Sequence, residues 1–460
     1  MNGVIDIIEF SLLRKRVKAA PTQIIVIGFA SMILFGTLLL NLPMASRDGQ
    51  PVGFINAIFT ATSSVCVTGL VVVDTGTHWT VFGQVVIMLL IQAGGLGFMT
   101  MSTLFALLLG RRITLKERLL IQESLNQFDL EGLVRLTKNI IIVTFAIEFL
   151  GAVFFSIVFI PDYGLKKGIA FGVFHAVTSF CNAGFDLIGD FRSFTPYVDN
   201  FIININAMFL IIIGGLGFSV WMDIYGAIKE RSLRNVTLHG KVVISTTIIL
   251  ILTGAVFIFI MEFNNTETIK GLSVSGKVMA SLFQSVSPRT AGYNTLDMPA
   301  LTVPTKFITI ILMFIGCSPG STAGGIKTAT AAIIFLTVIS VIKGKEDPEV
   351  FGRHLPKYLV YRAMSVTFIS LILVIFVTIL LSITEEADFM TLLFETTSAF
   401  GTVGLTLGYS PSLSPFGKII ISMTMFAGRV GPLTLVLALA RKAISGKGNV
   451  KYPEDRIIVG

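Results

Sequence analysis

A metal ion that leaves water needs oxygen atoms in place of its hydration shell, and in this sequence the oxygens best arranged to supply them are backbone carbonyls beside glycines. Four stretches carry them: Phe59 to Leu70 (FTATSSVCVTGL), Phe174 to Phe185 (FHAVTSFCNAGF), Leu282 to Tyr293 (LFQSVSPRTAGY) and Phe394 to Leu405 (FETTSAFGTVGL). Aligned on Gly69, Gly184, Gly292 and Gly404, they lie 108 to 115 residues apart, and that glycine is the one identity common to all four. Each reads as a half-length amphipathic helix ending in a short polar segment, where a residue without Cβ lets carbonyls converge. The candidate ion-lining residues are Val65, Cys66, Val67, Thr68 and Gly69; Phe180, Cys181, Asn182, Ala183 and Gly184; Pro288, Arg289, Thr290, Ala291 and Gly292; and Phe400, Gly401, Thr402, Val403 and Gly404. Their side chains are mostly uncharged, so the expected ligands are the carbonyls of Val67, Thr68, Asn182, Ala183, Thr290, Ala291, Thr402 and Val403. A single such glycine is an ordinary helix C-cap. Recurrence at near-equal spacing between apolar spans favours a selectivity filter.

The elements that position these turns follow from composition. Over 460 residues, 53% are hydrophobic and 13% charged, and the mean hydropathy is +0.83. Such a chain is solvated by lipid. Apolar runs long enough to cross a bilayer, roughly 20 residues, are expected at 22–42 and 81–109, 139–160 and 201–222, 242–261 and 307–342, and 363–384 and 419–439. Half-helices are expected between the members of each pair, at 54–64, 169–180, 277–286 and 389–399. The expected fold is an all-α polytopic membrane protein with eight transmembrane spans and four re-entrant pore helices. These form four membrane-pore-membrane repeats around one pore, pseudo-fourfold. The boundaries are 1–20 for a cytoplasmic N-terminal segment, 21–110, 111–228, 229–343 and 344–443 for the repeats, and 444–460 for a cytoplasmic tail.

Charge orients this arrangement. The segments 1–20, 110–138, 227–241, 343–362 and 441–460 hold 24 of the 35 Lys and Arg, which places them in the cytoplasm. The basic border Arg14, Lys15, Arg16 and Lys18 precedes an apolar run too long for a signal peptide, so a retained first span is expected. The opposite side carries Asp162, Asp186, Asp190, Asp199, Glu262, Glu267, Asp297, Glu385, Glu386 and Asp388, an acidic face that concentrates cations. Half-helices entering from that side aim four partially negative C-terminal ends at the centre, where a cation is favoured. Cys66, Cys181 and Cys317 are odd in number and sit in apolar or filter-like stretches, so they read as packing residues.

On SSVCVTG, SFCNAG, SPRTAG, FGTVG, GCSPGSTAGGIK, AGRVGP and the terminal EDRIIVG, the chain resembles the superfamily of Trk, Ktr and HKT potassium transporters over essentially its whole length. Within it, the chain is most similar to the membrane subunit of a Ktr-type system (KtrB-like). The resemblance implies four repeats around one K+ pore, a homodimer, and regulation by a cytosolic nucleotide-binding ring (KtrA/KtrC-like), with nucleotide entering only through that partner. It also implies that the tail ending at Gly460 packs at a subunit interface. Glycine in all four turns is similar to the K+-selective members, whereas serine in the first marks many Na+-selective ones. Trk-type members usually carry two extra N-terminal spans, for which the sequence has no room, and this favours Ktr. The cargo is K+, with Na+ as an open co-substrate, and no covalent cofactor or nucleic acid is expected.

The second span of the third repeat cannot continue as a helix through Cys317, Ser318, Pro319, Gly320, Ser321, Thr322, Ala323, Gly324 and Gly325. A loop inside the membrane is expected there, and the resemblance assigns it the role of a gate; a simple kink is the plainer alternative. Two cations lie deep beside it. Arg429 reads as a latch on the loop carbonyls and a barrier to cations, or else as the partner of the mid-span Glu148. Lys327 either joins the gate or snorkels toward the cytoplasm. Gly94, Gly95 and Gly97, with Gly214, Gly215 and Gly217, are expected to permit close helix approach or a bend rather than to bind phosphate, since no strand precedes them. His175 reads as a packing or hydrogen-bonding residue, and Glu395 as a tuner of the mouth or a cap.

The function expected is K+ uptake across the plasma membrane, by a multi-pass protein with both termini cytoplasmic. The alternatives are a Trk-type H+-coupled or Na+-conducting transporter and an alternating-access carrier, although the latter predicts inverted repeats. An enzyme is not expected, because no nucleophile–base pair or carboxylate pair lies within the spans.

Overall fold

The structure is a computed structural model that describes residues 21–97, 133–232, 236–345 and 347–439, with positions 100, 101, 103, 113 and 122 between the first two. The expected terminal segments, most of the loop at 110–138 and the C-terminal EDRIIVG lie outside the described residues.

Among those residues the chain is helical apart from one small hairpin, β1 (Glu349–Val350) paired antiparallel with β2 (Arg353–His354). The helices, in order, are α1 (Pro21–Leu40), α2 (Phe54–Val65), α3 (Val81–Leu96), α4 (Leu133–Tyr163), α5 (Leu165–Phe180), α6 (Phe201–Leu216), α7 (Phe218–Lys229), α8 (Leu238–Glu262), α9 (Val274–Val286), α10 (Val303–Phe314), α11 (Thr328–Ile342), α12 (Lys357–Thr384), α13 (Phe389–Gly401), α14 (Pro415–Val430) and α15 (Pro432–Leu439). Helices α1, α4, α8 and α12 are long and apolar enough to cross a membrane, and each is followed by a shorter helix, a turn and a returning helix. The protein is an all-α polytopic membrane protein.

The returning segments are each interrupted, the third by the expected loop. Helix α3 stops at Gly97, α6 and α7 meet at Gly217 with a bend of 101°, residues 315–327 separate α10 from α11, and Gly431 separates α14 from α15. Gly97, Gly217 and Gly431 each have φ of 83° to 92°, a conformation that a residue with Cβ adopts only with strain. The spans expected at 201–222 and 419–439 are therefore each two helices.

Polar caps set where the returning helices begin. The side chains of Thr80, Asn200 and Ser414 accept from the amides of Gly83, Ile203 and Gly417, satisfying donors that the first helical turn leaves open. At the corners of Thr302 and Ser414 a carboxylate at the end of the preceding long helix ties the junction. Glu262 accepts from the Thr302 amide at 2.9 Å and its hydroxyl at 2.7 Å, and Glu385 accepts from the Ser414 amide at 3.0 Å.

Packing closes on itself. Helix α3 lies against α5, α6 against α9, α10 against α13, and α14 against α2, so each returning helix touches the next short helix and the last touches the first. Large apolar side chains such as Phe149, Phe154, Phe368, Ile372 and Phe376 are exposed, while Thr60, Ser64, Thr178 and Thr397 are turned inward and bond carbonyls one turn back. This inversion suits a lipid surround. Close approach depends on glycine: a Cβ at Gly94, Gly214 or Gly428 would collide with the carbonyl oxygen of Val65, Phe180 or Phe400, the last or next-to-last residue of α2, α5 or α13.

Gly214→Val should therefore push α6 off the end of α5 and lower the melting temperature of the detergent-purified protein by several degrees. Gly226→Ala, at a helical glycine with open space where a Cβ would stand, should leave it within about 1 °C. Equal melting temperatures for the two variants would count against this packing.

Candidate functional site

The four glycine turns meet at one place. Within each, the residue two before the glycine has a left-handed backbone: Val67 (φ 59°), Asn182 (60°), Thr290 (67°) and Thr402 (50°). The glycines follow with φ of 94° at Gly69, 65° at Gly184, 80° at Gly292 and 95° at Gly404. Positive φ at bulky or branched residues is strained, and such strain persists where the surroundings over-determine it. Here the determinant is hydrogen bonding back to the preceding helix. The amides of Thr68, Ala183 and Val403 donate to the carbonyls of Ser63, Thr178 and Ser398, each at 2.8 Å. The Gly69 and Gly404 amides donate to the hydroxyls of Ser63 and Ser398, each at 3.1 Å. The third turn differs: the Ala291 amide takes the Ser287 carbonyl at 2.9 Å, because the Arg289 amide already holds that of Val286.

Across the site, glycines and carbonyls interleave. A Cβ at Gly69 would overlap the Ala183 carbonyl oxygen, one at Gly184 that of Ala291, one at Gly292 that of Val403, and one at Gly404 that of Thr68. The cycle runs from each turn to the next and returns to the first. Each of these four carbonyl oxygens thus lies where a side chain on the neighbouring turn's glycine would displace it. These are the groups suited to hold a desolvated cation.

Cys66 and Cys181 of the turns and Cys317 of the break after α10 are buried with free thiols. The Cys317 thiol donates to the Arg289 carbonyl at 3.1 Å, and the buried Arg289 side chain reaches the Thr247 hydroxyl at 3.4 Å. Past the second glycine, Asp186 is half-buried. Burial first, and the negative charge of Asp74 second, raise its carboxyl to about 7. Asp74 itself accepts from the Phe191 amide at 2.8 Å, which ties the loop after the first turn to the loop after the second.

The segment from 315 to 327 is non-helical, as expected for Cys317 through Gly325, and Gly320 and Gly325 take φ of 66°. Its backbone is bonded to neighbouring segments at several points. Ser318 and Thr322 donate from their amides to the carbonyls of Gly215 (3.0 Å) and Gly214 (3.3 Å), Gly320 accepts from the Phe218 amide (2.9 Å), and the Gly324 amide donates to the Thr402 hydroxyl (3.1 Å). The Thr322 hydroxyl also donates to the Phe180 carbonyl at 3.4 Å. Phe180, Arg289 and Thr402 are the fourth, third and second residues before their glycines, so the loop lies against the helix-proximal ends of the turns.

Both cations engage this loop. Arg429 donates through Nη1 to the Thr322 carbonyl and through Nη2 to the carbonyls of Gly94 and Gly95. Lys327 donates through Nζ to Ala323 (2.7 Å) and Gly324 (3.4 Å), rather than extending away from the loop. Among the described residues no ion pair joins Arg429 to Glu148; instead Glu148 accepts from Gln92 Nε2 at 3.3 Å. His175 bonds the Phe171 carbonyl and the Leu187 amide, and Glu395 accepts from the Leu407 amide and the hydroxyls of Thr406 and Ser410. Glu395 therefore braces the loop after its own turn.

Sequence reasoning missed the carbonyls of Gly94, Gly95, Gly214 and Gly215 as acceptors for the loop and for Arg429. The signal was available: in the first two sets a glycine pair follows the turn glycine by 25 to 31 residues, and a glycine pair before a helix break leaves carbonyls without helical partners.

The cation transport protein family TrkH matches residues 14–450. The Ktr system potassium uptake protein B of Bacillus subtilis is 42% identical over 446 residues, covering 97% of this chain and 98% of its own. The potassium/sodium uptake protein NtpJ of Enterococcus hirae is 42% identical over 456 residues, covering 98% and 100%. The crystal structure of the potassium transporter TrkH from Vibrio parahaemolyticus superposes with a TM-score of 0.71 at 18% identity, covering 93% of this chain and 86% of that one; this last likeness shows the fold.

If Arg429 holds the loop, Arg429→Ala in a Cys66→Ser, Cys181→Ser background should raise the rate at which a hydrophilic maleimide labels Cys317 severalfold. Cys317 is 2% exposed in the intact site, so an unaltered rate would remove Arg429 from that role.

Proposed function

The chain belongs to the TrkH cation transport family, as a Ktr/Trk-type membrane subunit, and from that premise we propose that it carries K+ into the cell. In this reading the four turns form a selectivity filter of four repeats around one pore. The observation that carries it is the interleaving of the Thr68, Ala183, Ala291 and Val403 carbonyls with the four glycines. Strain at Val67, Asn182, Thr290 and Thr402 serves to aim carbonyls inward, and the half-helix C-termini add partial negative charge at the same point.

The loop at 315–327 is the gate. It lies against the deep ends of three turns and brings the charges of Arg429 and Lys327 close to the ion path, so that closure is both steric and electrostatic. Opening must break the bonds to Gly214, Gly215, Thr402 and Arg429, which requires work from outside the membrane. A cytosolic nucleotide-binding ring acting on a homodimer is the proposed source, and relatives named as parts of a Ktr system support a multi-subunit assembly. In this reading both termini and the basic loops face the cytoplasm, which the distribution of Lys and Arg supports. Because an equally similar relative is named for potassium and sodium uptake, transport of Na+ is the second reading.

The test is Rb+ uptake into liposomes holding the purified chain, with K+ or Na+ as competitor. Suppression by K+ and not by Na+ is expected; equal suppression favours the second reading. Deleting 318–324 should raise flux, whereas loss of flux from a folded protein would sink the gate. Gly69→Ser inserts a side chain where the Ala183 carbonyl stands and should lower K+ over Na+ discrimination by about tenfold, or about 1.4 kcal/mol.

The outer acid adds a pH dependence. Asp186 is neutral below about 7, so its attraction for incoming cations is present above that pH and lost as pH falls through it. Rb+ uptake at sub-saturating concentration should drop between external pH 8 and pH 6, and Asp186→Asn should flatten that drop. A profile unchanged by the substitution would exclude Asp186 from the mouth.

A further inference from the structure

Helices α6 and α7 meet at Gly217 in a bend of 101°, and this elbow is joined to the loop at more points than Arg429 is. On the α6 side the carbonyls of Gly214 and Gly215 receive the amides of Thr322 and Ser318; on the α7 side the Phe218 amide donates to Gly320 at 2.9 Å. Gly217 leaves no room for a side chain, because a Cβ there would press on the Pro319 carbonyl. The Phe218 amide reaches Gly320 because α7 turns sharply away from α6. In an unbroken helix that amide would point back along the axis at the Gly214 carbonyl, which here belongs to Thr322.

One side chain spans the bend. The indole Nε1 of Trp221 donates to the Ile213 carbonyl at 2.9 Å, the acceptor that an unbroken helix would assign to the Gly217 amide. The same ring packs on Phe180 with centroids 5.7 Å apart and edge-on with Phe218 at 5.0 Å. Phe180 is the residue whose carbonyl receives the Thr322 hydroxyl. Trp221 thus touches the three structures whose relative placement fixes the loop: the end of the second half-helix, the end of α6 and the first turn of α7. At its far side α7 is tied to the cap of α8, where the Asp223 carboxylate accepts from the Thr237 hydroxyl.

We propose that Trp221 is a positioning residue for the loop: its indole N–H locks the elbow at Gly217, and the locked elbow holds residues 318–322 against the turns. This rests on the reading of the loop as a gate. In consequence, α7 is an arm through which force applied at the end of α6–α7 reaches the loop without passing through Arg429. Releasing the elbow would withdraw the Phe218 amide from Gly320 and free Gly217 from Pro319 together.

The experiment is Trp221→Phe in the full chain in lipid nanodiscs and liposomes, since phenylalanine keeps an aromatic ring on Phe180 and removes the donor. Amide hydrogen exchange should speed up in peptides covering 216–222 and 316–325 and stay unaltered in 357–384, with Rb+ uptake raised at least twofold. In the chain lacking 318–324 the substitution should change uptake by less than the scatter of replicates, because its target is gone. Unaltered exchange in 316–325 would overturn the elbow's hold on the loop. Faster exchange there without faster uptake would leave the hold in place and overturn the gate reading beneath it. Faster exchange everywhere, 357–384 included, would show a general loss of structure and overturn the specific role. Arg429→Ala gives an independent comparison: if the two latches are separate, its effect on uptake should multiply with that of Trp221→Phe, and a double variant no faster than either single one would merge them into one.

Discussion

Backbone that leaves the helix at membrane depth must find partners for its N–H and C=O groups within the protein, since hydrocarbon offers none and each unmatched group costs several kcal/mol. The rest of this structure depends on that constraint. It is met twice in opposite ways. In the glycine turns the amides bond back to their own helices, through Ser63, Thr178 and Ser398, which leaves carbonyls to point elsewhere. Unmatched oxygens of that kind are what a dehydrated cation requires. In the segment at 315–327 carbonyls and amides alike are bonded to neighbouring protein, and the loop is correspondingly held.

The two regions are not independent. The residues that receive the loop are the ends of half-helices and the turns themselves, Phe180, Arg289 and Thr402, together with the glycine pairs of the returning helices. Where Gly94 and Gly214 press against the ends of α2 and α5, the neighbouring carbonyls become available to Arg429 and to the loop. One glycine-dependent contact therefore serves both the packing of the helices and the fastening of the loop. In the proposed reading this is why motion of a returning helix reaches the ion path: the loop cannot shift without exchanging bonds at the elbow, and the elbow cannot unbend while Trp221 holds Ile213. A guanidinium suits the other fastening because its fork can join carbonyls from two segments at once, as Arg429 does between Thr322 of the loop and Gly94 of α3.

Much was legible beforehand because the relevant signals are local and repeated. The apolar runs, the recurring glycine with its polar run-up and the Pro/Gly-rich break after Gly316 each follow from a few neighbouring residues, and repetition at near-equal spacing raised their weight. The proximity of Arg429 to the loop was inferred from the cost of a lone cation in lipid. The alternative pairing with Glu148 was equally open to that argument, and a fold was needed to place Gln92 beside Glu148 instead. The expectation of one span at 419–439 failed because hydropathy reports burial in lipid and is silent on direction, so Gly431 did not read as a corner; at Gly217 a bend was among the expected roles, but its angle of 101° was not legible.

By itself, then, the sequence determined that the chain lives in a membrane, that it is helical, and that four equivalent turns interrupt it with glycine where carbonyls must crowd. These follow from composition and from the steric freedom of one residue type, which no partner can alter. Only the tertiary structure decided which carbonyl faces which glycine, that Lys327 turns back onto its own loop, and that Trp221 braces a right-angled elbow. Those relations join residues from about 100 to more than 300 positions apart, apart from the short-range choices at Lys327 and Trp221. They were set by which helix packs beside which, and a linear pattern of side chains leaves that open until the ring of contacts closes.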